Sequence, residues 1–324
     1  MTLREAQQTS LRRLLPYAAR QSRFYARRLA DVDLDSIELA NFESLPFTTA
    51  GDLRNWRDFL CVPPGEVQRM VSLHATSGTM GDPKRLAFTQ NDLARTCDFF
   101  REGMRYLVKP GERLAVALPG ADRPDGVADL LRRALRPLEV EVFCPTARED
   151  LAPWLCGERI HCLITFPTPL AGLLRAFPAA APPTLRGVLN SGDRIDPELK
   201  AAVRAAWKCE VLDHYGLTET AFGCAVECPT HNGCHIRALD VLVEIVDVRT
   251  GAPLPPGHQG EIVVTTLRHE AMPLIRYRTG DVGSLMPEGR CACGNDMPRL
   301  GPVLGRLDRT GGQARLVRTP KGGS

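Results

Sequence analysis

The stretch from His74 to Thr89, HATSGTMGDPKRLAFT, combines the residue types that a phosphate-binding loop requires. Glycines let backbone N–H groups approach phosphate oxygens, hydroxyl groups add hydrogen bonds, and a lysine offsets the charge. The segment is not the loop of P-loop NTPases, because only Gly78 and Gly81 fall near that spacing and no Gly-Lys pair is present. Taken alone, the loop is either a phosphate site or a plain turn.

A second group of reactive side chains lies late in the chain. The segment CAVECPTHNGCH contains Cys224, Cys228, His231, Cys234 and His235, and the segment CACG adds two further cysteines. Thiolates and imidazole in a tetrahedral set of four suit Zn²⁺. The spacing is not that of a zinc finger, so free thiols on a loop are the alternative interpretation. A redox pair would require a Cys-x-x-Cys spacing that the segment lacks.

Composition limits the class of protein. The 324 residues are 44% hydrophobic and 24% charged, as in ordinary globular proteins. The net charge of +3 is too small to indicate a nucleic-acid-binding protein. No apolar run is long enough to span a membrane, and the N-terminus lacks a signal-peptide core. Eleven cysteines without an export signal indicate a reducing compartment, so we expect a cytoplasmic protein.

The elements that must position these groups alternate along the chain. Segments such as RLAVALPG and LEVEVFCP predict buried strands, and DGVADLLRRAL and DPELKAAVRAAW predict helices between strands. This alternation favours a parallel sheet with helices on both faces. From about residue 236 the segment LVEIVDVRTGAPLPPGHQGEIVVTTL predicts a hairpin, and with it a smaller antiparallel unit.

Several further motifs follow the loop in the sequence and help to interpret it. After TSGTMGDPK come SGD at Ser191–Asp193, YGLTET at Tyr215–Thr220, YRTGD at Tyr277–Asp281 and GRLDR at Gly305–Arg309. This set resembles the adenylate-forming superfamily of acyl-CoA synthetases, adenylation domains and luciferases. LLPYAARQSRFYARRL, LPFTTAGDL and TLRHEAMPLIRYRTGD resemble its phenylacetate-CoA ligase branch. The resemblance implies an α/β fold of two parallel-sheet subdomains plus a small distorted antiparallel β-barrel.

The resemblance also implies roles in ATP-dependent acid activation. Tyr215 would lie against the adenine, Asp281 would bind the ribose, and Thr218 would touch the α-phosphate. Glu219 would hold Mg²⁺, which suits one carboxylate plus phosphate oxygens. The alternatives are a surface carboxylate for Glu219 and a turn residue for Asp281. The implied phosphate loop consists of Thr76, Ser77, Gly78, Thr79, Gly81 and Lys84, and the other implied cofactor-site residues are Ser191, Gly192, Asp193, Gly216 and Arg306.

Related ligases of this branch pair a Cys and a Gly-x-His with a later Cys-x-Cys. By this resemblance the zinc ligands are Cys228, His235, Cys291 and Cys293. Such a site would be a structural clamp between the loop after YGLTET and the antiparallel unit.

Two features depart from the family pattern. The family continues past the hinge, marked here by Arg306 and Asp308, into a small domain whose lysine assists adenylation, whereas this sequence has only Lys321 there. The segment from Val116 to Arg148 also lacks the aromatic, glycine-rich stretch that shapes the acyl pocket of phenylacetate ligases. Thr165–Leu174 is expected either in the pocket wall or in the core.

We therefore expect adenylation of a carboxylic acid, aryl or arylacetic among the candidates, with transfer to coenzyme A. The alternatives are a non-catalytic nucleotide- or acyl-binding remnant and the adenylation half of a split ligase, with a separate C-terminal domain or a carrier protein as partner. A homodimer is a further expectation. The expected units are residues 1–235, α/β with the ATP and acyl sites, residues 236–304, antiparallel, and residues 305–324, the hinge.

Overall fold

The computed structural model describes residues 1–73, 84–145, 150–309 and 314–317. The α-helices are α1 Leu3–Gln21, α2 Arg23–Arg28, α3 Trp56–Phe59, α4 Gln90–Met104, α5 Val127–Leu135, α6 Leu151–Gly157, α7 Pro167–Ala176 and α8 Pro197–Trp207. The strands are β1 Arg69–Leu73, β2 Lys84–Phe88, β3 Arg113–Ala117, β4 Glu141–Phe143, β5 Cys162–Thr165, β6 Gly187–Asn190, β7 Glu210–Tyr215, β8 Ala225–Glu227, β9 Cys234–Ile236, β10 Val241–Val246, β11 Gly260–Thr266, β12 Tyr277–Gly283, β13 Arg299–Leu300, β14 Gly305–Asp308 and β15 Arg315–Val317. Within these ranges, no helix has the length and apolar composition to cross a membrane.

The largest sheet has the strand order β13-β9-β8-β7-β6-β5-β3-β4. Its ladders from β4 to β7 are parallel, and its ladders from β7 to β13 are antiparallel. Strands β5 and β6 are buried along their whole length, as expected for strands that helices cover on both faces. The predicted mixed α/β class is confirmed.

The parallel ladders of the described residues lie in this single sheet, whereas two parallel sheets were expected. The chain before β3 contributes only the antiparallel pair β1–β2. Most of the first seventy residues are helices, turns and loops, so they supply no strands for a second parallel sheet.

The last quarter forms the sheet β10-β11-β12-β14-β15, in which all ladders are antiparallel. The predicted hairpin is present as β10 and β11, with Val241 opposite Thr266. Strand β14 pairs with β12, so the sheet continues across the expected boundary after residue 304. The assignment of a hinge to residues 305–324 stays a prediction.

Helix α1 packs on the main core through the stripe that its sequence predicts. Leu11, Leu14, Leu15 and Ala18 are all buried. The helix begins at a capping box, in which Thr2 accepts a hydrogen bond from the backbone of Glu5 while the Glu5 carboxylate accepts one from the Thr2 backbone. A cap of this kind stabilises a helix by about 1 kcal/mol.

One buried tyrosine links the N-terminal helices to the start of β12. The Tyr25 hydroxyl accepts a hydrogen bond from the backbone of Ile275 at 2.8 Å and lies 3.1 Å from the Thr48 hydroxyl. Thr48 in turn donates to the Ile275 carbonyl. These contacts hold the base of β12 and thereby fix the strand that carries much of the site.

Candidate functional site

The carboxyl ends of β6 and β7 form the edge at which the site is built. The two strands are parallel neighbours, with Asn190 opposite Asp213. The residues that follow them, Ser191 and Gly216, therefore leave the sheet at the same end. Ligands of α/β sheets bind in the crevice beyond the carboxyl ends of the strands.

Gly216 permits the tight turn after β7. A Cβ at this position would lie 2.4 Å from the Phe222 carbonyl oxygen and 2.5 Å from Cε1 of His214. The chain then forms the 3-10 turn Thr218–Thr220 and leaves it through left-handed conformations at Ala221 and Phe222. This compact path buries Glu219 and leaves the predicted catalytic residue Thr218 half-buried at the start of the turn.

Glu219 lies between two proton donors. Its Oε1 atom is 3.1 Å from Lys84 Nζ and accepts a hydrogen bond of 2.8 Å from the Tyr277 hydroxyl. The Glu219 side chain is 7% exposed and the Lys84 side chain 26%. Burial and the adjacent Glu219 carboxylate raise the pKa of Tyr277 above its ordinary value, so the phenol stays protonated. The structure thus brings together two of the predicted catalytic residues.

Asp281 lies next to this group on the same strand, β12. It accepts a hydrogen bond of 2.9 Å from the Tyr215 hydroxyl, and its other oxygen lies 3.4 Å from Nε of Arg306. Arg306 is its direct partner in the β12–β14 ladder. Burial raises the pKa of the Asp281 carboxyl, while the Arg306 guanidinium opposes that shift. The three predicted nucleotide residues of this paragraph therefore contact one another.

The loop after β6 is held by hydrogen bonds at both ends. The Asn190 side chain donates to the Asp193 carbonyl and to the Asp213 carboxylate, at 2.9 and 3.1 Å. Gly192 adopts φ +92°, in the left-handed region that favours glycine. The Ser191 hydroxyl lies 2.9 Å from Nδ1 of His214. Ser191, Gly192 and Asp193 are thus fixed beside β7.

An apolar cavity of about 40 Å³ adjoins the same edge of the sheet. Ser191 and His214 are its polar residues, and desolvation lowers the pKa of His214 to about 4, so the imidazole is neutral near pH 7. The remaining lining is Phe99, Phe100, Gly103, Met104, Val127, Leu131, Ile164, Leu189, Phe222 and Val226. Of the segment Thr165–Leu174, Leu170 and Leu173 pack in a separate core cluster, which favours the core interpretation for that segment.

Five residues of the predicted phosphate loop lie outside the described residues. They are Thr76, Ser77, Gly78, Thr79 and Gly81. The described part of the loop begins at Lys84, the first residue of β2, and this lysine points to Glu219.

The four predicted zinc ligands come together in space. One donor atom from each of Cys228, His235, Cys291 and Cys293 lies within 4.8 Å of every other. The Cys228 and Cys291 sulfurs are 3.7 Å apart, and the Cys293 sulfur is 3.3 Å from Nε2 of His235. Two thiolates on one tetrahedral Zn²⁺, at about 2.3 Å each, would be separated by about 3.8 Å. The donor set therefore fits zinc in both chemistry and spacing.

Neighbouring groups orient the histidine of this cluster and favour ionisation of one of its thiols. Nδ1 of His235 lies 3.4 Å from the Met297 carbonyl, a contact that turns Nε2 toward the sulfurs. Burial opposes ionisation of Cys291, but hydrogen bonds from Thr230, from the Cys293 backbone and thiol and from Cys228 outweigh it and lower the pKa of Cys291 to about 6. A thiol with this pKa is mostly thiolate near pH 7, which is the form that binds metal.

The other cysteines and the other histidine of CAVECPTHNGCH lie outside the cluster. Cys224 is fully buried in the core, and the Cys234 thiol lies 3.7 Å from the Asp213 carbonyl. His231 lies between the carboxylates of Glu227 and Glu210, 3.3 Å from each. The segment therefore contributes Cys228 and His235 alone to the four-residue set.

Sequence reasoning missed several residues of these sites. Tyr277 is the first residue of the motif YRTGD, but a role was assigned only to the last residue of that motif, Asp281. His214 directly precedes the motif YGLTET. Both positions adjoin motif residues, which is the signal that could have identified them. Phe222 and Thr230 carry no comparable signal, because their contacts depend on the path of the chain after Gly216.

The chain is similar to known proteins along most of its length. The sequence model of the family described as "AMP-binding enzyme" matches residues 49–267. The phenylacetate-coenzyme A ligase of Thermus thermophilus is 32% identical over 94% of this chain and 71% of its own length. The corresponding ligase of Escherichia coli is 28% identical over 85% and 63%. The sulfoacetate–CoA ligase of Cupriavidus necator is 29% identical over 68% and 43%.

Solved structures show the same fold. A 2-hydroxyisobutyryl-CoA ligase in complex with 2-HIB-AMP and CoA aligns with a TM-score of 0.81 at 23% identity, over 94% of this chain and 68% of that one. The chain spans 63% to 71% of the length of the phenylacetate-coenzyme A ligases it matches. The extent of the family match and the identity to these relatives lead to one conclusion: the chain belongs to the AMP-binding, adenylate-forming enzymes, in the acid–thiol ligase branch of the phenylacetate-coenzyme A ligases.

Proposed function

We propose that this chain activates an apolar carboxylic acid with ATP and transfers the acyl group to coenzyme A. A carboxylate oxygen of the acid attacks the α-phosphorus, and the bond to pyrophosphate breaks. The thiol of coenzyme A then attacks the acyl carbon, and AMP leaves. The observation that carries the proposal is β12, because its Tyr277 contacts Glu219 and its Asp281 contacts Tyr215. One strand thus aligns the expected phosphate and nucleoside ends of the site.

The nucleoside would bind at Tyr215 and Asp281. A carboxylate offers two acceptor oxygens, which suits the two hydroxyls of a ribose. One of these oxygens faces Arg306, whose side chain is 64% exposed and also donates a hydrogen bond to the Thr279 carbonyl. Gly216 keeps the turn under Tyr215 flat, and Ser191, Gly192 and Asp193 would form the opposite wall.

The phosphates would bind between Lys84 and the turn Thr218–Thr220. Lys84 would exchange its contact with Glu219 for a phosphate oxygen, aided by Thr76, Ser77, Gly78, Thr79 and Gly81, and Thr218 would contact the α-phosphate. When bound, Mg²⁺ would be held by Glu219 and phosphate oxygens and would neutralise charge on the pyrophosphate leaving group. The Tyr277 hydroxyl would hold Glu219 in place, since its 2.8 Å hydrogen bond fixes one carboxylate oxygen.

The side chain of the acid would enter the apolar cavity beside His214. A neutral imidazole and one serine hydroxyl are its polar groups, so its lining favours an apolar group of the acid over a charged one. A doubly charged acid such as sulfoacetate would leave a sulfonate without a cationic partner among the lining residues. We infer that the acid resembles that of the phenylacetate ligases more than that of the sulfoacetate ligase.

The cluster Cys228, His235, Cys291 and Cys293 would hold a structural Zn²⁺. All four ligand positions come from the protein, which leaves none for a reacting molecule. Cys228 and His235 flank the turn between β8 and β9, while Cys291 and Cys293 lie between β12 and β13. The ion would therefore join the large sheet to the segment that follows the antiparallel strand β12.

The decisive experiment is acid-dependent exchange of labelled pyrophosphate into ATP, followed by thioester formation with coenzyme A. Exchange with an apolar acid and subsequent loss of free thiol would support both steps. Exchange without thioester would assign adenylation to this chain and the second step to a partner domain or carrier protein. ATP binding without exchange for any acid would replace the proposal with a nucleotide-binding role. Size-exclusion chromatography of the same protein tests the expected homodimer.

A further inference from the structure

Two pockets of the molecule, an apolar cavity and a groove, are separated by a shared wall. The apolar cavity of about 40 Å³ lies on one side, and a groove of about 700 Å³ lies on the other. Phe99 and Val226 line both of them. Phe100 lines the cavity and is not among the groove residues of the described chain. Phe99, on α4, therefore lies between the cavity and the groove.

The ring of Phe99 is held in this position from several sides. Gly223 approaches it so closely that a Cβ there would lie 2.4 Å from the ring. The Arg237 guanidinium lies over the ring, 5.2 Å from its centroid, and the ring centroids of Phe100 and His214 are 6.3 and 6.1 Å away. Arg237 is itself buried and paired with Asp240 at 3.1 Å. A ring packed in this way closes the cavity as a fixed wall.

The groove beyond the wall can accept a chain. Ile236, Ala238 and Met297 contribute apolar surface to it, while Glu102, Arg105 and Asp240 contribute charge. If the wall were open, the part of a long acid that does not fit in the cavity could extend along the apolar surface of the groove, and its end would be in contact with solvent. The groove is also lined by two of the proposed zinc ligands, His235 and Cys293.

We propose that Phe99 is a specificity-determining residue, which limits the length of the acid by separating the apolar cavity from the groove. This inference rests on the proposed function, because it assigns the cavity to the acyl group. The wild-type protein then activates acids that end at Phe99 and discriminates against longer homologues. Each methylene that cannot be accommodated in such a pocket changes the rate by about tenfold or more.

The test is pyrophosphate exchange with a series of straight-chain and ω-phenyl acids of increasing length. Phe99→Ala joins the cavity to the groove, so the ratio of the rate with long acids to the rate with short acids should rise by at least about tenfold. Phe100→Ala is the matched control, because it removes the same atoms and widens the cavity without opening this wall. It should admit bulkier acids but not longer ones.

Val226→Ala opens the same wall from the opposite side, on β8, and serves if Phe99→Ala does not fold. A wild-type protein that accepts long and short acids equally would overturn the inference without any variant. An unchanged length limit in a folded Phe99→Ala or Val226→Ala protein, or an equal shift in Phe100→Ala, would also overturn it. Absence of exchange in wild type for every acid would instead remove the proposed function itself, and the inference with it.

Discussion

Glu219 is the residue on which the proposed chemistry depends most directly. Glu219→Gln keeps the size of the side chain and can still accept the Tyr277 hydrogen bond, but it removes the charge that faces Lys84. We expect pyrophosphate exchange to fall by about a hundredfold or more, the range measured when one electrostatic contact to a developing charge is lost.

The control for that variant is Glu270→Gln. Glu270 also pairs with a cation, Arg95 at 2.8 Å, but lies outside the proposed site. Exchange by this variant should stay near the wild-type rate. Unchanged turnover in Glu219→Gln, measured across a Mg²⁺ titration, would remove Glu219 from its assigned role.

His269 makes the stability depend on pH. Desolvation lowers the pKa of His269 from 6.5 to about 4. The nearby carboxylates of Asp92 and Asp240 act in the opposite direction, but the guanidinium groups of Arg237 and Arg95 offset them. The folded protein therefore keeps the imidazole neutral in a range where the unfolded chain binds a proton. The stabilisation is present above about pH 6.5 and is lost as the pH falls toward about 4. The loss for this one group amounts to about 3 kcal/mol.

The variant that isolates this effect is His269→Gln. Urea unfolding at a series of pH values should show a shallower decline of the free energy of unfolding than in wild type. Part of the slope should persist, because desolvation also lowers the pKa of His214 to about 4. An identical slope in both proteins would show that His269 does not carry the effect.

At the scale of elements, the proposed zinc ligands come from the two ends of the turn between β8 and β9 and from the segment that precedes β13. Purified protein should contain about one zinc per chain, and removal of the ion should lower the free energy of unfolding by several kcal/mol. Cys293→Ser should lose the zinc. Cys234→Ser is the matched control, since this thiol lies nearby at the Asp213 carbonyl and outside the cluster. A metal-free wild type as stable as the metal-loaded form would contradict the assignment.

The elements themselves could be predicted well from local sequence. The alternation of RLAVALPG, DGVADLLRRAL and LEVEVFCP corresponds to β3, α5 and β4. Helix α4 begins at Thr89, whose hydroxyl accepts a hydrogen bond from the Asp92 backbone. These signals are local, because a cap or a buried strand depends on neighbouring residues.

Pairing between distant strands could not be predicted in the same way. The register that places Arg306 opposite Asp281 depends on how β12 and β14 align across the intervening loop. The resemblance supplied both residues as parts of motifs, but not their contact. The number of parallel sheets was also beyond local reasoning, because it depends on which strands the N-terminal part contributes.

At the scale of the whole molecule, the site depends on residues to which no sequence pattern assigned a role. Tyr25 in α2 and Thr48 in the following loop hold the backbone at Ile275, just before β12. They are 250 and 227 positions away from Ile275 in sequence. Contacts of this kind follow from global packing, so sequence patterns assign such residues to the core at most.

Gly216 limits which substitutions the protein can accept in the course of evolution. Every codon change that replaces this glycine adds at least a Cβ, which would collide with the Phe222 carbonyl at 2.4 Å. Backbone cannot yield as a side chain can, so no second substitution nearby restores the space. The cavity walls, where side chains meet one another, can be exchanged in compensating pairs. Variation can thus reshape the proposed acid cavity while the turn after β7 stays as it is.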